Sequence, residues 1–200
     1  MTNLLYLARN TPDVPPEAGT YLATAETELA RLGEITRLTL GFVRTNSAAR
    51  PLLVAQIADD VLAIFRHRLE SRGVQIDRTY DPGVTIRIAP HELRQIFTNL
   101  ISNATDAISD LNPRIAVRIQ STGGRAAVMV EDNGSGIDAA HLQRIFEPFF
   151  TTKHDIGTGI GLWVTRELIE SNGGYISVES GALPNGFQTR FTIEFPAVVQ

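Results

Sequence analysis

Leu93-Arg94-Gln95-Ile96-Phe97-Thr98-Asn99-Leu100-Ile101-Ser102-Asn103-Ala104-Thr105-Asp106-Ala107-Ile108 puts apolar side chains at 93, 96, 97, 100, 101, 104, 107 and 108. That spacing predicts a helix with one core-facing side. Gln95, Asn99 and Asn103 then stack at i, i+4 and i+8 along the edge of the buried face. Amides in such a place need partners for both oxygen and nitrogen, and a ligand would supply them. An amide oxygen is a hard, neutral donor suited to Mg²⁺, an ion usually held by few protein groups together with water and substrate phosphates.

The remaining sequence sets the bounds for this reading. Two hundred residues, 43% hydrophobic and 20% charged, fit an ordinary soluble globular chain with one full domain and a smaller addition. A net charge of -4 argues against nucleic acid or a membrane surface as general partner, since either usually draws on a basic patch. With no cysteine, disulfides and thiolate metal sites are excluded, and a reducing cytoplasm is compatible. No apolar run approaches the ~20 residues of a membrane span, and the N-terminus carries no signal pattern, so no membrane contact is expected from this segment.

Along the chain, Thr2 to Arg9 reads as the last turns of a helix, and Thr11 to Pro16 as a proline turn. Leu22, Ala25, Leu29, Leu32, Ile35, Leu38 and Phe42 mark a helix from about Glu17 to Arg44 whose apolar seam needs a partner helix. Residues 1–48 are therefore expected to form part of a helical hairpin, and residues 49–200 the main domain. The polar, proline-ended stretch Asn46 to Pro51 is the expected boundary. Beyond it come an amphipathic helix from Leu53 to Leu69 ended by Arg72-Gly73, and strands at 74–80 and 84–88 around the turn Asp81-Pro82-Gly83. The amide-bearing helix follows, then strands at 115–119 and 126–131 joined at Gly123-Gly124, a helix from Ile160 to Ser171, and strands at 175–180 and 189–195. Helices before and among mostly hairpin-linked strands predict an α+β fold, a two-layer sandwich of mixed sheet and helices.

Two glycine-bearing stretches carry the next clues. Asp132-Asn133-Gly134-Ser135-Gly136 sets a carboxylate at a strand end beside bare backbone, where it can accept from a base's exocyclic amine while a ring approaches the main chain. On its own the same stretch also fits a plain Asp-Asn-Gly turn. Gly157-Thr158-Gly159-Ile160-Gly161-Leu162 opens a helix, where unpaired N–H groups and the helix dipole attract phosphate, although it is neither a dinucleotide fingerprint nor a P-loop. Between them, Ile145 to Ile156 joins three phenylalanines to a polar tail of the kind that forms lids. Lys153, the single lysine, would pair with phosphate oxygens on closure or else be solvated.

Taken together these elements resemble the nucleotide-binding region of bacterial sensor histidine kinases, within the superfamily of gyrase, chaperone, kinase and mismatch-repair ATPases. Asn99-Leu100-Ile101-Ser102-Asn103-Ala104 resembles that family's N box, Asp132 to Gly136 its first glycine box, Phe146 to Phe150 its F box and Gly157 to Leu162 its second glycine box, over about Pro51 to Pro196. The resemblance implies the Bergerat ATP-binding fold, with ATP and Mg²⁺ as cofactors. It gives Asn103 the metal, Asp132 the adenine amine, Gly134, Gly136 and Ile137 the loop beside it, and Thr152 and Lys153 of the lid the phosphates. Gly157, Thr158, Gly159, Ile160, Gly161 and Leu162 become the phosphate-facing turn. Thr189 matches a late threonine near the adenine, although Phe187 and Gln188 stand where the family often has glycine.

Asn99 is also implied in the ATP site, at the position where hydrolysing members of the superfamily carry a glutamate to activate water. An amide cannot take a proton, so the expected chemistry is transfer of the γ-phosphate to a histidine rather than hydrolysis. In the family that histidine lies on the first helix of the dimerising hairpin, which is expected before Met1. This chain should then bind nucleotide without phosphorylating itself. His91-Glu92-Leu93-Arg94 imitates the acceptor motif but opens the helix of the ATP half, and His67, His141 and His154 fit surface positions. The implied partners are a second copy, through the hairpin, and the receiver domain of a response regulator, with a cytoplasmic location. The alternatives left open are an ATPase of the same superfamily and a nucleotide-free binding or dimerisation module.

Overall fold

The structure is a computed structural model that describes residues 11, 15, 17–25, 48–108, 112–153 and 158–198. The chain divides into two compact units, one built from Asn46–Pro148 with Gly161–Gln200 and the other from Met1–Thr45 with Phe149–Ile160. In the second of these, residues 17–25 are helical. The rest of the expected helical hairpin, apart from residues 11, 15 and 48, lies outside the described residues, as do His154 and Gly157. Among the described residues no helix is long and apolar enough to cross a membrane.

The larger unit contains ten main elements in the order β1 (Arg50–Leu53), α1 (Val54–Ser71), β2 (Gln75–Tyr80), β3 (Thr85–Ile88), α2 (Pro90–Ala107), β4 (Arg114–Thr122), β5 (Arg125–Asp132), α3 (Gly161–Ser171), β6 (Tyr175–Ser180) and β7 (Thr189–Pro196). Five strands form a mixed sheet in the order β2-β4-β5-β7-β6. Only the β2–β4 pair is parallel. Strand alternation sends Ile115, Val117 and Ile119 of β4, Val128 and Val130 of β5, and Phe191, Ile193 and Phe195 of β7 into one buried layer. The helices lie over that layer, with α2 against both β5 and its neighbours α1 and α3. This is the expected α+β two-layer sandwich.

The apolar period of α2 is realised as read: Leu93, Ile96, Phe97, Leu100, Ile101 and Ala104 are all buried. Burying each of the larger side chains contributes roughly 1.5–3 kcal/mol, so this face holds the helix to the sheet. Pro90 starts the helix at a position where its missing N–H costs nothing. Arg72 reaches the other end, where its guanidinium donates to the carbonyls of Thr105 and Ile108 and satisfies two groups that the helix leaves unpaired.

Two readings change. The strands either side of Asp81-Pro82-Gly83 do not pair with each other: β2 runs parallel to β4, whereas β3 pairs antiparallel with β1 in a separate two-stranded sheet. β1 itself occupies the end of what the sequence suggested was only a break. Alternation fixes which face of a strand is buried but says nothing about its neighbour, and a proline is tolerated on an edge strand such as β1.

Candidate functional site

β5 ends at Asp132, and the sheet register sets it opposite Ile115 on β4 and Thr189 on β7. Its side chain is on the helix-covered face and only 3% exposed. The Gly134 N–H donates to Asp132 Oδ1 at 3.0 Å, and the buried Thr189 hydroxyl, opposite Asp132 in the β5–β7 register, also favours the charged carboxylate. Burial disfavours the charge more than these two donors favour it, and the Asp132 pKa is pushed up to about 6. The group is thus a held acceptor, short of partners for its charge.

The loop after Asp132 is fixed from both sides. The Asn133 amide accepts from Arg114 N–H and donates to the Asn112 carbonyl, and Ser135 N–H donates to the Ala107 carbonyl at the end of α2. A Cβ at Gly134 would stand 2.3 Å from that same carbonyl oxygen, so the close approach of loop and helix requires glycine here. Gly136 has a φ of +71°, and next to it Ile137 N–H donates to Ser180 Oγ at 2.7 Å. The Ser180 hydroxyl donates to the Gln188 carbonyl, and Gln188 N–H donates back to the Asp132 carbonyl. Ser180 escaped the sequence reading because an isolated serine makes no pattern, and Gln188 entered it only as a departure from the family's usual glycine.

The amide stripe of α2 is half-buried throughout, yet its members differ. Asn99 Oδ1 accepts from Gln95 Nε2 at 2.8 Å, while Asn99 Nδ2 donates to the Gly161 carbonyl at 2.9 Å and to Thr165 Oγ1 at 3.0 Å. Its bonds therefore tie α2 to the first turn of α3. Asn103, one turn further on, makes no side-chain hydrogen bond to any described residue, and its oxygen remains open to a ligand. Among the described residues no group of three or more His, Asp or Glu is placed to hold a metal ion. A single amide oxygen with water and phosphate would suit Mg²⁺, which rarely has a full set of protein ligands.

Residues 139–146 form successive turns, held by bonds from His141 and Leu142 N–H to the Asp138 carbonyl and from Ile145 N–H to the His141 carbonyl. Ile145 is buried, and Phe146 meets Phe191 edge to face with ring centroids 6.4 Å apart while the Arg166 guanidinium lies over its other side. This anchors the start of the lid to its own unit. The rest, from Phe149 to Ile160, belongs to the other unit. There Thr152 and Lys153 are exposed, Thr158 is half-buried, and Ile160 is buried. A Cβ on Gly159 would fall 2.4 Å from the Phe149 carbonyl carbon, and Gly159 has a φ of +67°, so this position too requires glycine. Leu162 is half-buried at the start of α3. His91, in the first turn of α2, has a buried Nδ1 without a hydrogen-bond partner among the described residues.

A strand-end acid beside glycine backbone, an open amide on the neighbouring helix and a glycine-rich helix start describe an ATP-binding class of protein. Residues 88–199 match the family of histidine kinase-, DNA gyrase B-, and HSP90-like ATPases, and the chain belongs to that family. Its relatives are sensor kinases. It is 39% identical over 131 residues to the sensor protein ChvG of Rhizobium meliloti strain 1021, covering 61% of this chain and 23% of that protein. It is 34% identical over 184 residues to the sensor histidine kinase ZraS of Klebsiella oxytoca, covering 88% and 38% respectively. The chain thus spans well under half the length of these relatives. The catalytic domain of histidine kinase ThkA superposes with a TM-score of 0.66 at 25% identity, over 74% of this chain and 97% of that domain. ThkA in complex with the response regulator TrrA gives a TM-score of 0.72 at 21% identity, over 98% of this chain and 56% of that one.

Proposed function

We propose that this chain is the ATP- and Mg²⁺-binding catalytic region of a bacterial sensor histidine kinase, presenting the γ-phosphate of ATP to a histidine on a dimerisation helix. The observation that carries the reading is the contrast within one unit between a buried Asp132 held by the Gly134 N–H and an Asn103 whose side chain has no hydrogen-bond partner among the described residues. The first suits a fixed base, the second an arriving metal. Asp132 would accept from the adenine amine, with the Thr189 hydroxyl steadying its second oxygen and Gly134, Gly136 and Ile137 providing backbone that a flat ring can approach. Asn103 would give its oxygen to Mg²⁺, which on binding neutralises phosphate charge and aligns the transferred group. Thr152 and Lys153 of the lid would meet the phosphates. The turn from Gly157 through Thr158, Gly159 and Ile160 to Gly161 and Leu162 would offer its N–H groups to them.

Asn99 supports transfer over hydrolysis. It stands where a water-activating glutamate would be needed, it has no proton-accepting group, and its amide is already taken up by Gln95, Gly161 and Thr165. His91 does not suit the role of acceptor, since it opens α2 with its Nδ1 buried. The acceptor is assigned to a hairpin whose other residues include 1–48, through which two copies would pair in the cytoplasm. By analogy with the ThkA complex, the phosphoryl group would pass on to a response regulator receiver domain. Calorimetry of the 200-residue chain with a non-hydrolysable ATP analogue and Mg²⁺ tests the reading. One site per chain is expected, together with a raised thermal midpoint, because a ligand that binds only the native state stabilises it. Absence of both refutes the assignment.

A further inference from the structure

Asn99 looks by position like a nucleotide ligand, but its hydrogen bonds give it another task. The Gly161 carbonyl can only accept, so the amide nitrogen of Asn99 must face it, and this leaves Oδ1 toward Gln95 Nε2. The second N–H meets Thr165 Oγ1, which donates its own proton back to the Gly161 carbonyl at 2.8 Å. Thr165 is completely buried, so its hydroxyl has no water to turn to. Gln95, Asn99 and Thr165 thus form a closed bracket around the first residue of α3. All three lie in the same unit as Asn103, and Asn99 precedes Asn103 on α2 by about one turn.

We propose that this bracket is a positioning device: Asn99 and Thr165 fix the N-terminal end of α3 relative to the metal-binding amide of Asn103, and so set the register between Mg²⁺ and the phosphates. The inference rests on the proposed ATP site and names Asn99 as a residue acting through the α3 terminus instead of touching nucleotide. A helix end supplies phosphate binding through several N–H groups that share one orientation, so a small tilt misaligns them together. The adenine end has no part in the bracket, because Asp132 is held by Gly134 and Thr189. Losing the bracket should therefore weaken phosphate recognition while leaving base recognition intact.

The test compares the affinity of the full chain for adenosine, titrated by NMR, with its affinity for MgADP, measured by calorimetry. Thr165→Val keeps the shape of the side chain and removes only the hydroxyl. It is expected to weaken MgADP about fivefold, the worth of one ordinary buried hydrogen bond, with adenosine unchanged. Thr165→Ser restores the hydroxyl and should restore the MgADP affinity. Gln95→Ala, which removes the outermost member at a half-buried position, gives a milder loss of the same kind and serves if Thr165→Val proves unstable. Equal weakening of both ligands, or no weakening of MgADP in either variant, overturns the bracket while leaving the ATP site standing. A wild-type chain that binds neither ligand overturns the ATP site and the bracket with it.

Discussion

The strand-end region around Asp132 and the helix edge around Asn103 belong to one compact unit and are built in opposite ways. Asp132 is sealed among Gly134, Thr189 and the buried layer, and the loop that follows is tied to α2, β4, β6 and the segment before β7. Asn103 is half-buried, has no side-chain hydrogen bond among the described residues, and lies one turn from an Asn99 whose own amide is fully engaged. A rigid acceptor selects a base at little ordering cost, whereas an open amide gains its geometry only when metal and phosphate arrive. In the proposed site this difference would write base recognition into the fold and leave phosphate recognition to be completed by the ligand. The rigid end carries a penalty, since a carboxylate held in protein with two donors is less stable than one in water.

Gly134→Ala attacks the rigid end most directly. The added Cβ would meet backbone, the Ala107 carbonyl, and no rotamer can relieve that. A loss of about 3 kcal/mol is expected, seen as a thermal midpoint lower by roughly 5–10 °C, together with loss of nucleotide binding. An alanine variant that melted like the wild type would show that the loop yields, and the claim of a preformed base site would fail.

Asp132→Asn is the next largest. A neutral amide presents an N–H where the adenine amine needs an acceptor, and losing a charged hydrogen bond weakens ATP by about 1.5–3 kcal/mol, or roughly tenfold to a hundredfold by calorimetry. The apo protein should respond in the other direction. Because burial raises the folded pKa of Asp132 to about 6 from its ordinary 3.8, the folded state holds the proton more tightly. Its contribution is intact below about pH 4 and is lost as pH rises through 6, a change of roughly 3 kcal/mol. The asparagine variant loses this dependence and should melt higher than wild type at neutral pH. Wild-type affinity for ATP, in turn, should rise as pH increases through 6, since binding the amine calls for the carboxylate. Parallel pH profiles for wild type and variant, in melting and in binding, would break the account.

Asn103→Ala isolates the open end. With no side-chain hydrogen bond to lose among the described residues, the apo midpoint should move by less than about 0.5 kcal/mol equivalent. The gain in ATP affinity that Mg²⁺ gives the wild type should disappear, so that wild type with EDTA and variant with Mg²⁺ bind alike. A variant that still gained affinity from Mg²⁺ would place the metal elsewhere.

How far the sequence foretold this depends on the kind of regularity each part carries. The core face of α2 was legible because eight apolar positions at helical spacing leave one packing solution, and the β4–β5 pair because two alternating runs flank Gly123-Gly124. The partners of β2 and β3 were not, since alternation is identical whether a strand joins its neighbour or crosses to another sheet. β1 stayed hidden behind Pro51, which as an edge residue pairs with Arg87 all the same. In the site, Asp132 and Asn103 stood out as unusual residues beside a core pattern, and Thr189 entered only through family resemblance. Thr165 and Ser180 were invisible: each is a single hydroxyl whose partner lies on a different element, 66 residues away for Thr165 to Asn99 and 43 for Ser180 to Ile137. Contacts of that range exist only after the chain has folded.

Lys153 gives the smallest effect and the finest discrimination. The residue is exposed on the lid, where a long side chain loses freedom on meeting a phosphate and the charge is shielded by solvent. Lys153→Met keeps the length and removes the charge, and at about 0.15 M salt ATP should weaken by no more than two- to threefold, within the range of exposed ion pairs. Lowering the salt to about 0.01 M lengthens the screening distance to roughly 30 Å, so the difference between wild type and variant should widen there, and more for ATP than for ADP. Calorimetry at the two salt concentrations reads this directly. A loss above tenfold that ignored salt would mean that Lys153 is held in place as firmly as Asp132. The phosphate end would then be preformed as well, and the contrast between the two ends would no longer hold.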